Sequence, residues 1–503
     1  MKVFTARQIK EADSFTIYQE GIKSVDLMER AAKACYRWIS QNFNPNTSFL
    51  LICGMGNNGG DGLALTRILL QEGFSAKAIV LQHREDFSSD AAHQLKLLQH
   101  LDPELVQLLP SGNFIAELPV NVVLIDALLG SGLSRDTEGW LATFIERCNE
   151  LPNTKIAIDL PSGLPADNLP KPGATVFKAD YTLSFELYKR SFFHQEAALF
   201  CGTIRILSIG LSTTYLQDTH SNIYVLDEAK ALSIYKPRKA FSHKGTYGKA
   251  VLMGGSYGQV GALLLSTQAA LRSGAGLVVA IAPECAYSIL QGQCPEAMVH
   301  IGGDKVLSSW SIPNKSTAIG IGPGLGKDPQ TAIAFAQFLA ENKLPLIIDA
   351  DALNLIAENK SLWHFIPPGS ILCPHPKEFE RLFGSSQNSL LQTELARGKA
   401  MKHNVYIILK GHHSAIATPS GNCWYNNNGN AGMATGGSGD VLTGILTGLL
   451  AQGYAAEEAT LLAVYLHGKS GDLAAAIQGQ DSLIASDLVS MLGKAFQSLQ
   501  GNI

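Results

Sequence analysis

A chain of 503 residues, 46% hydrophobic and 16% charged, is too long for one ordinary core and too apolar for a disordered protein. A formal charge of −4 with no Lys/Arg cluster excludes the electrostatic footprint of a nucleic-acid binder. Eight cysteines without a CxxC pair or zinc spacing point to free thiols in a reducing compartment. No apolar stretch has the length of a membrane span, and Met-Lys-Val-Phe-Thr-Ala-Arg lacks the apolar run of a secretory signal, so a cytoplasmic protein is expected.

Met28, Ala31, Ala32, Cys35, Trp38 and Ile39 recur at helical spacing. Short apolar runs follow at 49–53 and 78–81, then at 122–125 leading into Asp126 and at 156–158 leading into Asp159. Fully apolar strands alternating with helices predict a parallel sheet covered on both faces, with ligands at the carboxyl ends of its strands. The polar, mixed segment 212–245 is the expected domain seam. From about residue 226 the pattern resumes, with runs at 251–253, 277–281, 318–321, 346–348 and 405–409.

Polar signatures gather at these strand ends. Gly54-Met55-Gly56-Asn57-Asn58-Gly59-Gly60-Asp61-Gly62 precedes a helix expected from about Leu63. Glycines let backbone approach a ligand and expose N–H groups at a helix start, although a tight turn alone also needs them. Asn57, Asn58 and Asp61 supply polar groups that a bare turn does not require. Asp126-Ala127-Leu128-Leu129-Gly130-Ser131-Gly132 and Asp159-Leu160-Pro161-Ser162-Gly163 each add a strand-end carboxylate. An asparagine, a carboxylate and a serine together suit a hard monovalent or divalent cation, whereas a lone aspartate there only caps a helix.

In the second half, Thr435-Gly436-Gly437-Ser438-Gly439-Asp440 precedes Leu442, Ile445, Leu446 and Leu449 at helical spacing. A helix is expected from about Gly439, with Gly444 and Gly448 on another face for close packing. Main-chain N–H groups at such a helix start form an anion hole. Asp440 is then placed to take a proton from an attacking hydroxyl, as phosphoryl transfer requires, or merely to complement the helix dipole. His375 is held between two prolines. Lys410, between an apolar strand and Gly411, suits contact with phosphate or ribose.

These motifs carry two resemblances. Residues 1–215 resemble the NAD(P)H-hydrate epimerase family, through Gly-x-Gly-Asn-Asn-Gly-Gly-Asp-Gly, Asp-Ala-Leu-Leu-Gly-Ser-Gly and Asp-Leu-Pro-Ser-Gly in that order. Residues 226–503 resemble the ADP- or ATP-dependent NAD(P)H-hydrate dehydratases of the ribokinase-like superfamily. The motifs are His243-Lys244-Gly245-Thr246-Tyr247-Gly248, Gly322-Pro323-Gly324-Leu325-Gly326, Pro374-His375-Pro376-Lys377-Glu378-Phe379 and the Asp440 loop.

The resemblance implies two three-layer α/β/α domains, the first Rossmann-like and the second ribokinase-like. It implies that Asn57, Asn58, Gly59, Gly60 and Asp61 line the epimerase site, and that Gly130, Ser131, Gly132, Leu133, Ser134, Arg135 and Asp136 contact phosphate. Asp159 and Lys189 would be catalytic, and Asn58, Asp126 and Ser162 would hold K⁺. The surroundings of Lys189, Glu-Leu-Tyr-Lys-Arg-Ser, depart from the family's Gly-x-x-Lys-x-Gly. In the dehydratase half, Ala262, Gly324, His375 and Asp440 would contact the hydrate. Lys410, Gly411, His412, His413, Ser414 and Gly439 would contact ADP, carried with Mg²⁺.

The expected activity is bifunctional. The R and S hydrates of NADH and NADPH are interconverted, and the S form is dehydrated at the expense of ADP. The expected assembly is a homo-oligomer with small-molecule substrates and no nucleic-acid or membrane partner. The alternative is a ribokinase-like small-molecule kinase fused to a non-catalytic Rossmann-like binding domain.

Overall fold

The computed structural model describes residues 1–113, 118–132 and 136–500. The chain divides into two compact units: residues 2–221 with 388–390, and residue 1 with 222–387 and 391–503.

The first unit is built on seven strands. They are β1 (Ser48–Cys53), β2 (Ser75–Gln82), β3 (Val106–Pro110), β4 (Val123–Ala127), β5 (Lys155–Ile158), β6 (Tyr181–Phe185) and β7 (Thr203–Leu207). All neighbours pair in parallel, in the order β3-β2-β1-β4-β5-β6-β7. Successive side chains on a strand point to opposite faces, so the apolar runs feed two cores. Phe49, Leu51 and Cys53 pack with Ala64, Ile68 and Leu95 on one face, and Leu50 and Ile52 pack with Phe144, Ile145 and Cys148 on the other. The result is three layers. The strand order reverses between β1 and β4, and a crevice opens at such a switch point.

The second unit carries β8 (Ile223–Leu226), β9 (Lys249–Met253), β10 (Leu277–Ala282), β11 (Met298–Ile301), β12 (Ala318–Ile321), β13 (Leu346–Ile348), β14 (Ile371–Leu372), β15 (Tyr406–Leu409), β16 (Ala415–Ala417) and β17 (Cys423–Asn426). The order is β11-β10-β9-β12-β13-β14-β15-β16-β17-β8. The β15–β16 and β16–β17 pairs are antiparallel and the others parallel.

The helix Ser438–Ala451 is buried nearly all round, as its apolar composition requires. Gly444 and Gly448 face the helix Val260–Arg272. A Cβ on Gly444 would stand 2.2 Å from Ser266 O, and one on Gly448 would stand 2.9 Å from Ala270 O. These two glycines therefore set the helix–helix distance and fix the position of the helix start that bears Asp440.

The segment 212–245, within which the two units divide at residues 221 and 222, contains helix Thr213–Asp218, strand β8 and helix Glu228–Ile234. β8 pairs with β17, which closes one edge of the second sheet. One expectation is revised by the structure. The helix expected from Leu63 begins at Asn57, so the Asn-Asn-Gly-Gly-Asp motif forms its first turns rather than a loop before it. Among the described residues, no helix is long and apolar enough to cross a membrane.

Candidate functional site

In the first unit the polar motifs converge at the carboxyl ends of β1, β4 and β5. Asp126, the penultimate residue of β4, is 1% exposed. It accepts hydrogen bonds from Ser162 Oγ (2.6 Å), Ser162 N (2.7 Å) and Leu128 N (3.1 Å). Burial raises its pKa to about 6, against the pull of these donors. Asn58 Nδ2 donates to Leu129 O (2.9 Å), while the buried Asn58 Oδ1 accepts no hydrogen bond among the described residues. Ser162 Oγ also accepts from Leu129 N at 2.8 Å. Asn58, Asp126 and Ser162 thus meet around the Leu129 peptide.

A second cluster lies on the same strand ends. Asp159 follows β5 with φ +62°, uncommon for a residue that is not glycine. Its Oδ1 stands 2.8 Å from Lys189 Nζ, whose side chain has no exposed surface. Asp13 and Asp61 join it electrostatically. Burial, then the charge of Asp159, pushes Asp13 up to about 7, and burial and the neighbouring carboxylates push Asp61 well above its ordinary range. Backbone held in a sparse region beside coupled carboxylates and a buried ammonium is the physical mark of a functional site.

The glycines of the motif have a second explanation. A Cβ on Gly59 would lie 1.8 Å from Gly54 O, and one on Gly60 2.6 Å from Met28 Cε. These two positions are required for packing. Asn57 is exposed. Asp136 pairs at the surface with Lys171 (2.6 Å), and Leu133, Ser134 and Arg135 lie outside the described residues. Gly130 packs on Asn58, 3.1 Å separating its notional Cβ from the Asn58 Cβ. Ser131 is half-buried and Gly132 exposed, with open space beside it.

In the second unit Asp440 stands in the first turn of its helix, which Gly437 enters at φ +90°. Burial, and next the charge of Asp349, raises Asp440 to about 7. Lys410 Nζ approaches the same turn, where a Cβ on Gly439 would meet it at 3.2 Å. Lys410 is ion-paired to Asp349 Oδ1 at 2.8 Å, and Asp349 Oδ2 accepts from Thr443 Oγ1 at 2.8 Å. Burial works to lower the Lys410 pKa, but Asp349 and Glu378 outweigh it and the ammonium is held above its usual range.

Ala262 reaches the site through Ser266, whose Oγ donates to Ala262 O (3.0 Å) and to Asp440 O (2.8 Å). Gly324 at φ +58° admits no side chain, since a Cβ would lie 2.3 Å from Gln259 O. His375 caps the helix Pro376–Phe383, its Nδ1 accepting from Lys377 N (3.1 Å) and Glu378 N (3.3 Å). Burial and the charge of Lys410 lower its pKa. With Nδ1 accepting, the other ring nitrogen, Nε2, stands 3.4 Å from Glu378 Oε1. Gly411 N donates to Ser414 Oγ (3.4 Å) in a tight turn. His412 stacks edge-on against His413, whose Nδ1 contacts Asn426 O at 2.9 Å.

A family model described as NAD(P)H-hydrate dehydratase matches residues 250–494, and one described as YjeF-related protein N-terminus matches 24–191. A bifunctional NAD(P)H-hydrate repair enzyme of Moorella thermoacetica is 34% identical over 100% of this chain and 98% of its own. The chain belongs to this bifunctional repair family. A relative of the same description from Coxiella burnetii is 32% identical over 97% of each chain. A Bacillus subtilis ADP/ATP-dependent NAD(P)H-hydrate dehydratase, co-crystallised with ATP and Mg²⁺, is 34% identical with a TM-score of 0.50. That match covers 56% of this chain and 100% of the other.

Membership in the repair family throws the overlooked residues into relief. Asp349 and Thr443 orient Lys410, and Ser266 ties Ala262 to Asp440. Asp349 was legible in sequence, since it ends an apolar strand just as Asp126 and Asp159 do. Asp13, on an amphipathic helix far from any glycine motif, gives no such signal.

Proposed function

We propose that the chain interconverts the R and S hydrates of NADH and NADPH in its first unit and dehydrates the S form in its second, at the expense of ADP and yielding AMP and phosphate. The observation that carries this reading is Asp440. It is a carboxylate with no ion-pair partner among the described residues, poised near neutrality at a helix N-terminus, with the Lys410–Asp349 ion pair beside it.

Asp440 takes the proton of the C6 hydroxyl. The hydroxyl oxygen attacks the terminal phosphorus of the nucleotide, and the bond to the bridging oxygen breaks. Lys410 and the N–H groups at Gly439 offset the charge on the phosphoryl oxygens, and Gly411 to Ser414 form the turn against which the nucleotide rests. The ring nitrogen lone pair then expels phosphate from C6. Loss of a proton from C5 restores the C5–C6 double bond. Mg²⁺ carried with the nucleotide supplies further charge neutralisation. Ala262, Gly324 and His375 line the hydrate side, where Gly324 lets its loop pack against Gln259.

In the first unit the hydroxyl leaves C6 with a proton, and water returns to the other face of the planar ring. Asp159, with Lys189 beside it, is assigned the acid–base role. Asn57 to Asp61 line the hydrated-cofactor site, and the loop Gly130 to Asp136 contacts its phosphate. K⁺ fits Asn58, Asp126 and Ser162, because the buried Asn58 Oδ1 lacks a donor and Asp126 is an adjacent carboxylate. It would supply a fixed positive charge beside the substrate phosphate. A cytoplasmic homo-oligomer completes the reading, and light scattering tests its oligomeric state.

The test is incubation of purified protein with mixed hydrates, with and without ADP, following the return of NADH absorbance. Complete recovery from both epimers, only with ADP present, is expected. A stable phosphorylated product would favour a kinase and overturn the reading.

A further inference from the structure

The second unit has a groove of about 610 Å³ outside the constellation around Asp440, lined by Lys327, Asn354, Ala357, Glu358 and Arg381. Each element that builds it starts at the candidate site. Lys327 follows Gly326, whose N–H donates to Asp351 Oδ2 at 2.9 Å, close in the chain to Gly324. Asp351 opens the helix Ala350–Glu358, and Asn354, Ala357 and Glu358 follow it at helical spacing on one face. Arg381 lies in the last turn of the helix that His375 caps, roughly 9 Å along its axis. The two helices pack on each other, so the groove lies one to two helical turns beyond Asp351 and His375.

Its charge is unbalanced. Lys327 Nζ is paired with Glu358 Oε1 at 2.7 Å. Arg381 is exposed, and its Nη1 donates only to Asn354 Oδ1 (2.8 Å). Among the described residues no carboxylate lies within ion-pair distance of it. A guanidinium has five donors in a planar fork that matches phosphate, and most of these are free here. The hydrated cofactor is a dinucleotide. Only its reacting ring needs Asp440, and the diphosphate and far ribose must continue away from that turn.

We infer that this groove is the phosphate-binding subsite for the tail of the hydrated dinucleotide, with Arg381 as its anchor and Lys327 in support. The inference rests on the dehydratase reading above. The phosphate is either the diphosphate shared by both hydrates or the 2′-phosphate of the NADPH hydrate, and an arginine is the usual partner of the latter.

The experiment measures KM for each S hydrate at saturating ADP, and KM for ADP, in wild type and in Arg381→Ala and Lys327→Ala. Arg381→Ala should raise the hydrate KM roughly tenfold, the loss of a charge-assisted contact, and leave the KM for ADP unchanged. A rise confined to NADPH hydrate assigns the 2′-phosphate, and an equal rise for both assigns the diphosphate. Unchanged KM for both hydrates, or a rise for ADP alone, overturns the inference. Failure of the dehydratase reading looks different, since wild type would then turn over neither hydrate.

Discussion

Replacing Asp440 with asparagine should abolish dehydration and raise the melting temperature by an amount that grows from about pH 4 to about pH 8. Burial and the Asp349 charge lift this carboxyl from its ordinary 3.8 to about 7. At 1.36 kcal/mol per pH unit, that rise corresponds to about 4 kcal/mol against the ionised, folded form. Asp440 is half-buried, so solvent screening reduces the realised cost to about 1–2 kcal/mol. The folded pKa exceeds the unfolded one. The penalty is therefore absent below about pH 4, grows between the two pKa values and is complete above about pH 8. An uncharged asparagine escapes it. At roughly 2–4 °C per kcal/mol for a unit of this size, the variant should melt about 2–8 °C above wild type at about pH 8.5, and within a degree or so of it at about pH 4. Calorimetry at the two pH values measures this, and the wild-type dehydration rate should rise with pH through about 7 as the base ionises. A variant that melts at or below wild type at the higher pH would refute the reasoning, as would a gap of equal size at both.

Lys410→Met leaves Asp349, 1% exposed, without its countercharge. A loss of about 3–5 kcal/mol is expected in the second unit by denaturant unfolding, with epimerisation by the first unit retained. Gly59→Ala puts a methyl 1.8 Å from Gly54 O. It should prevent the first unit from folding and abolish epimerisation, while ADP-dependent dehydration of pure S hydrate persists. Asn58→Leu removes the unpartnered Oδ1 and should make the epimerisation rate insensitive to exchange of K⁺ for tetramethylammonium, an exchange expected to slow wild type several-fold.

The layers and the strand ends were legible because fully apolar runs of three to five residues between glycine or acidic loops have few other destinations than a covered parallel sheet. Residues 49–53, 156–158 and 346–348 became β1, β5 and β13 for that reason. β3, β7 and β11 were not legible, because their half-exposed, mixed sequences carry neither a continuous apolar run nor a clean alternation. β8 was hidden in a polar stretch because its burial comes from pairing with β17, more than 190 residues away. The glycine motif marked the right place in the first unit but carries two signals at once. Gly59 and Gly60 answer to packing, whereas Asn58 and Asp61 have polar atoms or charges that packing does not need. His375 shows the reverse ambiguity, because its ring caps a helix through Nδ1 and faces Glu378 through Nε2, which a structural role alone explains.

The carboxylates of the first unit also differ in surroundings, and the difference suggests a division of labour. Asp159 has the Lys189 ammonium 2.8 Å away. Asp61 has no ion-pair partner among the described residues, and burial and the charges of Asp159 and Asp13 push its pKa well above the ordinary range. Departure of a hydroxyl from C6 requires a proton donor, and it leaves a cationic ring that an ionised carboxylate stabilises. A neutral acid beside an ion-paired carboxylate meets both needs. If Asp61 is the donor, epimerisation should fall as pH rises through its elevated pKa, because the acid form is then lost. Asp61→Asn should remove that alkaline limb and slow the rate by about 10²–10⁴-fold. Asp159→Asn should slow the reaction but keep the limb. A limb that persists unchanged in Asp61→Asn would return the donor role to Asp159 or Asp13.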